Sequence, residues 1–175
     1  LLRILRLLPL TTLELSGCGL GPCHAADLAE LFRGAMAAVN RITVDSTGDP
    51  RNRQTYTLTA GEEVINLSSK GLGAADVNLL AVWLQRPEVI AVVARISVLS
   101  NPIGVEGAAA LIKVYEKNPQ IRTLLGIEEG VTEVNFSEKN VDVGQTMVLA
   151  AELRAGRVTA ELAEVVLDGN QLTGA

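Results

Sequence analysis

Histidine occurs once in this 175-residue sequence, tryptophan once and cysteine twice, and aromatic residues make up only 3%. With His24 alone, general acid–base chemistry at neutral pH would need a retuned Glu, Asp or Lys. No Ser-His-Asp set, paired-carboxylate cleft or redox C-x-x-C is present to mark one out, so the chain reads as a non-enzyme. Two cysteines are too few for a disulfide-stapled secreted domain, which points to a reducing, cytoplasmic compartment. Cys18, Cys23 and His24 give at most three metal ligands, and no second Cys or His pair exists to close a tetrahedral zinc site. Positive charge is also short: 15 Lys and Arg against 20 Asp and Glu leave a net charge of −5. Binding a phosphate backbone needs a clustered excess of Lys and Arg, so nucleic acid is not the expected partner. The apolar run Leu1 to Leu10, which carries Arg3 and Arg6, is too short to span a bilayer, and no membrane association is expected. The run has neither a leading Met nor a cleavage site, so it is not a signal peptide; the chain is expected to be part of something longer.

Aliphatic residues are what the sequence has in abundance. Hydrophobic residues reach 48% and charged residues 20%, so an ordered core of Leu, Ile, Val and Ala is expected. These residues recur in register. Leu13-x-Leu15-x-x-Cys18-x-Leu20 sets a pattern that returns as Ile65-x-Leu67-x-x-Lys70-x-Leu72 and Ile96-x-Val98-x-x-Asn101-x-Ile103. It returns again as Val134-x-Phe136-x-x-Lys139-x-Val141 and Val165-x-Leu167-x-x-Asn170-x-Leu172. An apolar residue stands three places before most first anchors (Leu10, Val93, Val131, Leu162), with Glu62 the exception.

A second regularity follows each anchor set. Counting from Leu20, Leu72, Ile103 and Val141, step 8 gives Leu28, Leu80, Leu111 and Leu149, and step 12 gives Phe32, Leu84, Tyr115 and Leu153. Step 9 gives Ala29, Ala81, Ile112 and Ala150, and step 5 gives Ala25, Val77, Ala108 and Thr146. Steps 5, 8, 9 and 12 share one face of an α-helix. Gly21, Gly73, Gly104 and Asp142 at step 1 mark a turn, so each unit reads as short strand, turn, helix. Ile65 to Ile96 and Val134 to Val165 are both separated by 31 residues.

Two places break the rhythm. Val39-x-x-Ile42-x-Val44 fits a strand, but the stretch from Asp45 to Gly61 is rich in Gly, Pro, Asp, Asn and Thr, with Tyr56-Thr57-Leu58-Thr59 as a short strand within it. Ile121-x-x-Leu124 also fits a strand start, yet the next strand begins too soon for a helical crossover. Irregular or hairpin-like inserts are therefore expected near 46–61 and 125–131.

The motif L-x-x-L-x-L-x-x-N/C-x-L followed by a helix face resembles the leucine-rich repeats of the ribonuclease-inhibitor-like class, and the resemblance runs from Leu10 to Leu172. The inserts are similar to those of long repeat proteins of unicellular eukaryotes. The resemblance implies an α/β right-handed solenoid, or horseshoe, over residues 1–175: a parallel concave sheet inside, helices on the convex side, and stacked units burying a shared core. It also implies a concave surface that grips another protein, as in ribonuclease inhibitor, the Ran GTPase-activating protein and NOD-like receptors. GTPase activation of the Ran type and a structural spacer within a larger repeat protein are the alternative functions.

Other motifs carry less. Gly17-Cys18-Gly19-Leu20-Gly21 lacks the spacing of a dinucleotide loop, its third Gly coming one place early, and reads as a repeat turn. Cys18 takes the position of Asn101 and Asn170, where a small buried polar group would bond the turn backbone. Asp45, Asp49, Glu62 and Glu63 lack the tight oxygen spacing of a calcium loop. Asn66-Leu67-Ser68 and Asn135-Phe136-Ser137 match glycosylation acceptors by accident of the strand pattern. No cofactor and no metal site is expected.

The remaining candidate surface is the strand face that alternates with the anchors. Its binding residues are Glu14, Arg41, Thr43, Asp45, Asn66, Arg95, Ser97, Glu133 and Asn135. Arg41 and Arg95 lead, because interface hot spots favour Arg. The sequence begins with an apolar helix-like run and stops after a strand, so neither end resembles a polar capping unit, and self-association or marginal stability is expected. Purified protein should hydrolyse neither GTP nor esters; steady turnover that one substitution abolishes would contradict the non-enzyme reading.

Overall fold

A computed structural model describes residues 10–34 and 38–172. The expectations for the run Leu1 to Leu8 and for the last three residues lie outside the described residues. Within them the chain is α/β, with seven short strands and five helices. In order these are β1 (Thr12–Glu14), α1 (Pro22–Gly34), β2 (Arg41–Asp45), β3 (Thr55–Thr59), β4 (Val64–Asn66) and α2 (Ala74–Trp83). Then follow α3 (Pro87–Ile90), β5 (Arg95–Ser97), α4 (Gly104–Lys117), β6 (Glu133–Asn135), α5 (Val143–Ala155) and β7 (Glu164–Val166).

The strands do not join into one concave sheet. They form three separate sheets, β1-β2-β3, β4-β5 and β6-β7. The expected leucine-rich-repeat solenoid of the ribonuclease-inhibitor-like kind, a horseshoe lined by a continuous parallel sheet, is therefore not what this chain builds. Two local causes are visible. After β2 the chain turns back through residues 46–54, and β3 pairs antiparallel with β2, from Arg41↔Thr59 to Asp45↔Thr55. That reversal fills the edge a parallel successor would need. The second cause lies beyond β5, where residues 123 and 125 meet the strand only in isolated bridges. Carbonyls there serve β5, through Ile96 N to Thr123 O at 3.0 Å and Val98 N to Leu124 O at 3.0 Å. Its amides go elsewhere: Leu124 and Leu125 donate to the Glu152 carboxylate, and Ile127 donates to Thr123 Oγ1 at 3.0 Å. A segment whose N–H groups are already taken cannot continue a ladder.

Aliphatic positions of the strands and helices form one buried cluster. Ile65, Ile96 and Val134 sit mid-strand in β4, β5 and β6 and are buried, as are Leu28, Leu80, Leu111 and Leu149 on the helices. The helices pack in sequence order, α1 on α2, α2 on α4 and α4 on α5. Helix starts have identifiable partners. Asp76 in the first turn of α2 accepts from Gly73 N at 2.8 Å, and Asp142 caps α5 by accepting from Gln145 N at 2.7 Å. Gly156 closes α5 in the left-handed region at φ 63°. Gly144 lies so close to the Gly104 carbonyl that a Cβ has no room there, which seats α5 tightly against the start of α4.

The helix register slips in α5. Leu153, expected inside, is 44% exposed and Ala150 is also exposed, whereas Glu152 and Gln145 are fully buried. The rotation turns the Glu152 carboxylate towards the loop amides described above. At the other end of the molecule the single tryptophan, Trp83, is wholly buried. Phe32 of α1 meets it edge-on with ring centroids 5.4 Å apart, and the Arg86 guanidinium lies 4.3 Å from its ring centroid. Arg86 also donates to Val39 O at 2.6 Å and pairs with Glu88. Among the described residues no helix is long and apolar enough to cross a membrane.

Leu111 tests this packing. It lies on α4 and is fully buried in the hydrophobic core, and Leu111→Ala should cost about 2–5 kcal/mol in a denaturant titration. A loss below roughly half a kcal/mol would mean that the site is not a packed core position.

Candidate functional site

The nine candidate residues are distributed over the three sheets. Glu14, Arg41, Thr43 and Asp45 share the first sheet, Asn66, Arg95 and Ser97 the second, and Glu133 and Asn135 the third. Register brings Glu14 beside Thr43, Asn66 beside Ser97, and Glu133 beside Glu164. The result is three polar patches in place of one concave lining.

Exposure separates the candidates. Glu14, Arg41, Asn66, Glu133 and Asn135 are exposed, and Arg95 and Ser97 are half-buried. Thr43 is buried, because β3 lies alongside and the Thr43 and Thr57 hydroxyls meet at 3.1 Å. Asp45 is occupied structurally: it accepts from Gly17 N at 2.8 Å and from Thr55 Oγ1 at 3.1 Å. Ser97 Oγ is shared with Ser68 Oγ at 2.7 Å, and Arg95 lies 3.9 Å from Glu128.

Three of the exposed residues repeat one geometry. Asn66 Oδ1 accepts from Ser68 N at 3.0 Å, and Asn135 Oδ1 accepts from Ser137 N at 2.9 Å. Glu14 accepts from Ser16 N at 3.3 Å and from Ser16 Oγ at 2.6 Å. Each side chain is thus clamped to the backbone two residues on, as Asx-type turns do. The Ser16 hydroxyl, Thr43 and Ser16 amide, with the Arg41 charge, hold the Glu14 carboxyl below its ordinary value.

Sequence reasoning anticipated the buried amide at Asn101, which bonds the turn backbone, but missed the buried carboxyls. Glu152 accepts from Leu124 N, from Leu125 N at 2.9 Å and from Thr123 Oγ1 at 3.1 Å, and so holds the 123–127 loop. Burial pushes its carboxyl up to about 7, partly offset by those donors and by Arg157. The Arg157 guanidinium lies 3.8 Å from the Tyr115 ring centroid and donates to Asn118 O at 3.0 Å and Ile121 O at 2.7 Å. Asp76 is the second such group. It accepts from Thr47 N and Thr47 Oγ1, both at 2.7 Å, and from Tyr56 Oη at 3.1 Å. Burial raises the Asp76 carboxyl, and burial together with that carboxylate raises the Tyr56 phenol well above its ordinary value. These contacts fasten loops to helices. The one signal in the sequence was negative: a strand start at Ile121 with no helix after it.

The other sequence candidates are dispersed. Cys18 and Cys23 are exposed free thiols, and His24 Nδ1 accepts from Gly21 N at 3.2 Å. Exposed Cys18 does not fill the bridging role of Asn101, which is buried. A cleft of about 720 Å3 opens between the turn at 100–105 and the turn at 140–143, with Asp142 the only carboxylate among the described residues that line it. That carboxylate is already committed to Gly104 N at 2.7 Å and Gln145 N. No family model matches the chain, and no curated protein matches it significantly. The site therefore rests on its own geometry.

Glu152 gives a pH test with a defined sign. Its carboxyl ionises less readily when folded, so its contribution to stability is greatest below about 4.5, falls as pH rises towards 7, and is level above that. The decline should be on the order of 3 kcal/mol. Glu152→Gln should flatten this part of the stability–pH curve; an unchanged slope between pH 4.5 and 7 would show that another group causes it.

Proposed function

We propose that the chain is a protein-interaction module that meets another protein through its exposed strand-face side chains. The observation that carries this reading is the repeated clamp at Glu14, Asn66 and Asn135. A polar side chain fixed by its own backbone has less rotamer freedom left to lose on binding, which lowers the cost of forming an interface. Flexible solvated side chains would have no such restraint at corresponding places on three sheets.

Composition of the patches suits this role. Arg41 stands exposed beside the clamped Glu14, and Val64 beside Asn66 is 55% exposed. An Arg, an apolar side chain and fixed amides supply the anchor and the polar rim that interfaces combine. Thr43 and Asp45 are not part of the contact surface, since both are engaged within the fold.

Site-specific photocrosslinking tests the proposal. A photoreactive residue in place of Asn66 or Asn135 should give a discrete protein adduct in cells, and one in place of Glu116 on the exposed side of α4 should not. Arg41→Glu should lower the adduct yield about tenfold, the effect of roughly 1.4 kcal/mol. Equal labelling from the strand and helix faces would overturn the assignment.

A further inference from the structure

Helices α2 and α4 pack side by side, and a groove of about 530 Å3 opens along them. Its described lining comes from helices and helix ends alone, with the end of α1 contributing at one side. Ala81, Ala109 and Ala110 line it, and side chains this small leave the space open. Its charged groups are Arg33, Lys113 and Lys117. No carboxylate is found among the described residues that line it, although Asp and Glu outnumber Lys and Arg by 20 to 15 in the chain.

Helix stability accounts for two of these cations. Arg33 and Lys117 stand in the last turns of α1 and α4, where positive charge complements the helix dipole, and Arg33 pairs with Glu30. Lys113 has no such role. It is exposed and makes no ion pair among the described residues. It also precedes Lys117 by four residues, the spacing at which like charges destabilise a helix. Glu116 does not line the groove. The amides at the same end are committed to their own helices: Gln85 Nε2 donates to Ala81 O at 3.0 Å and Asn118 Nδ2 to Val114 O at 2.7 Å.

A positive rim over an apolar hollow calls for an anion that also carries small apolar groups. Lys113 and Lys117 are separated by about 6 Å along the helix axis, four residues at about 1.5 Å each. Alternate residues of an extended chain are about 6.8 Å apart and point the same way. A peptide lying along the groove can therefore offer each lysine a carboxylate from every second residue. Arg33, on the helix that packs against α2 from its other side, adds a cation from the opposite rim. Three cations on a chain of net charge −5 are a poor match for a polyphosphate backbone.

We propose that the α2–α4 groove binds an acidic peptide segment, with Lys113 and Lys117 pairing with its carboxylates and the alanines receiving its apolar side chains. Complementary charge gives such a contact its specificity and a strong dependence on salt. No strand residue lines the groove, so the contact is separate from the strand-face reading and does not rest on it.

Fluorescence anisotropy of a labelled peptide of alternating Glu and Ala, titrated with the whole chain at low salt, tests this. The peptide should bind, and added salt should weaken it. Lys113→Gln combined with Lys117→Gln should weaken binding about tenfold, and the same peptide with Gln in place of Glu should bind about tenfold more weakly than the acidic one. Ala109→Phe, which fills the hollow without changing charge, should also weaken it, and Arg41→Glu on the strand face should not. Absence of binding up to submillimolar protein overturns the proposal, as does binding that ignores the lysine changes. Labelled oligothymidylate binding as tightly as the peptide would show a general polyanion surface and overturn it. So would a dimer that the two lysine changes dissolve, which would place a second copy in the groove.

Discussion

The amide of Asn101 holds together the part of the molecule on which the other elements lean. Its nitrogen donates to Leu67 O at 2.8 Å, Val98 O at 2.9 Å and Leu99 O at 3.2 Å, and its oxygen accepts from Lys70 N and Leu72 N, both at 2.9 Å. One buried side chain thereby satisfies the turns after β4 and β5 together. Asn170 does the same between the ends of β6 and β7, donating to Phe136 O and Leu167 O and accepting from Val141 N. The need arises from strand length. Three-residue strands leave most of the adjoining turn backbone outside any ladder, and buried backbone groups without partners are costly. Side-chain amides and carboxylates supply what the sheets cannot.

Glu152 and Asp76 extend the same principle to charged groups, with a different balance. An amide buried among backbone groups has no charge to desolvate, whereas a carboxylate does. Both carboxyls are accordingly raised although each accepts several hydrogen bonds. The gain is positional: Asp76 ties Thr47 and Tyr56 to the start of α2, and Glu152 ties residues 123–125 to α5.

Much of the local structure was legible in the sequence, and the reason is that periodicity reports burial. Leu13, Ile42, Ile65, Ile96 and Val134 all stand inside strands and are buried, and Leu28, Leu80 and Leu111 face inward from helices. Sheet continuity was not legible, because it depends on which backbone groups are claimed by side chains far along the chain. Glu152 and the amide of Leu124 lie 28 residues apart, and no short-range pattern links them. Leu153 was misjudged for the same reason: the carboxylate, with a fixed set of donors to meet, took the inward position from its apolar neighbour. Within the site, the exposed amides at positions 66 and 135 followed from strand alternation. Burial of Thr43 did not, since it required knowing that β3 runs antiparallel beside β2.

The environment of Trp83 has a practical consequence. The indole is enclosed, with the Phe32 ring edge-on and the Arg86 guanidinium over it. Being the sole tryptophan, it is a single reporter whose tryptophan emission belongs to one junction, that of α1 with α2. Shielding from water blue-shifts this emission, and separation of α1 from α2 would redden it, whereas fraying confined to α5 and β7 would leave the spectrum unchanged. Tryptophan emission, excited selectively over Tyr56 and Tyr115, therefore reads the α1–α2 junction, and comparing it with a whole-chain probe such as circular dichroism measures how cooperatively the two halves unfold.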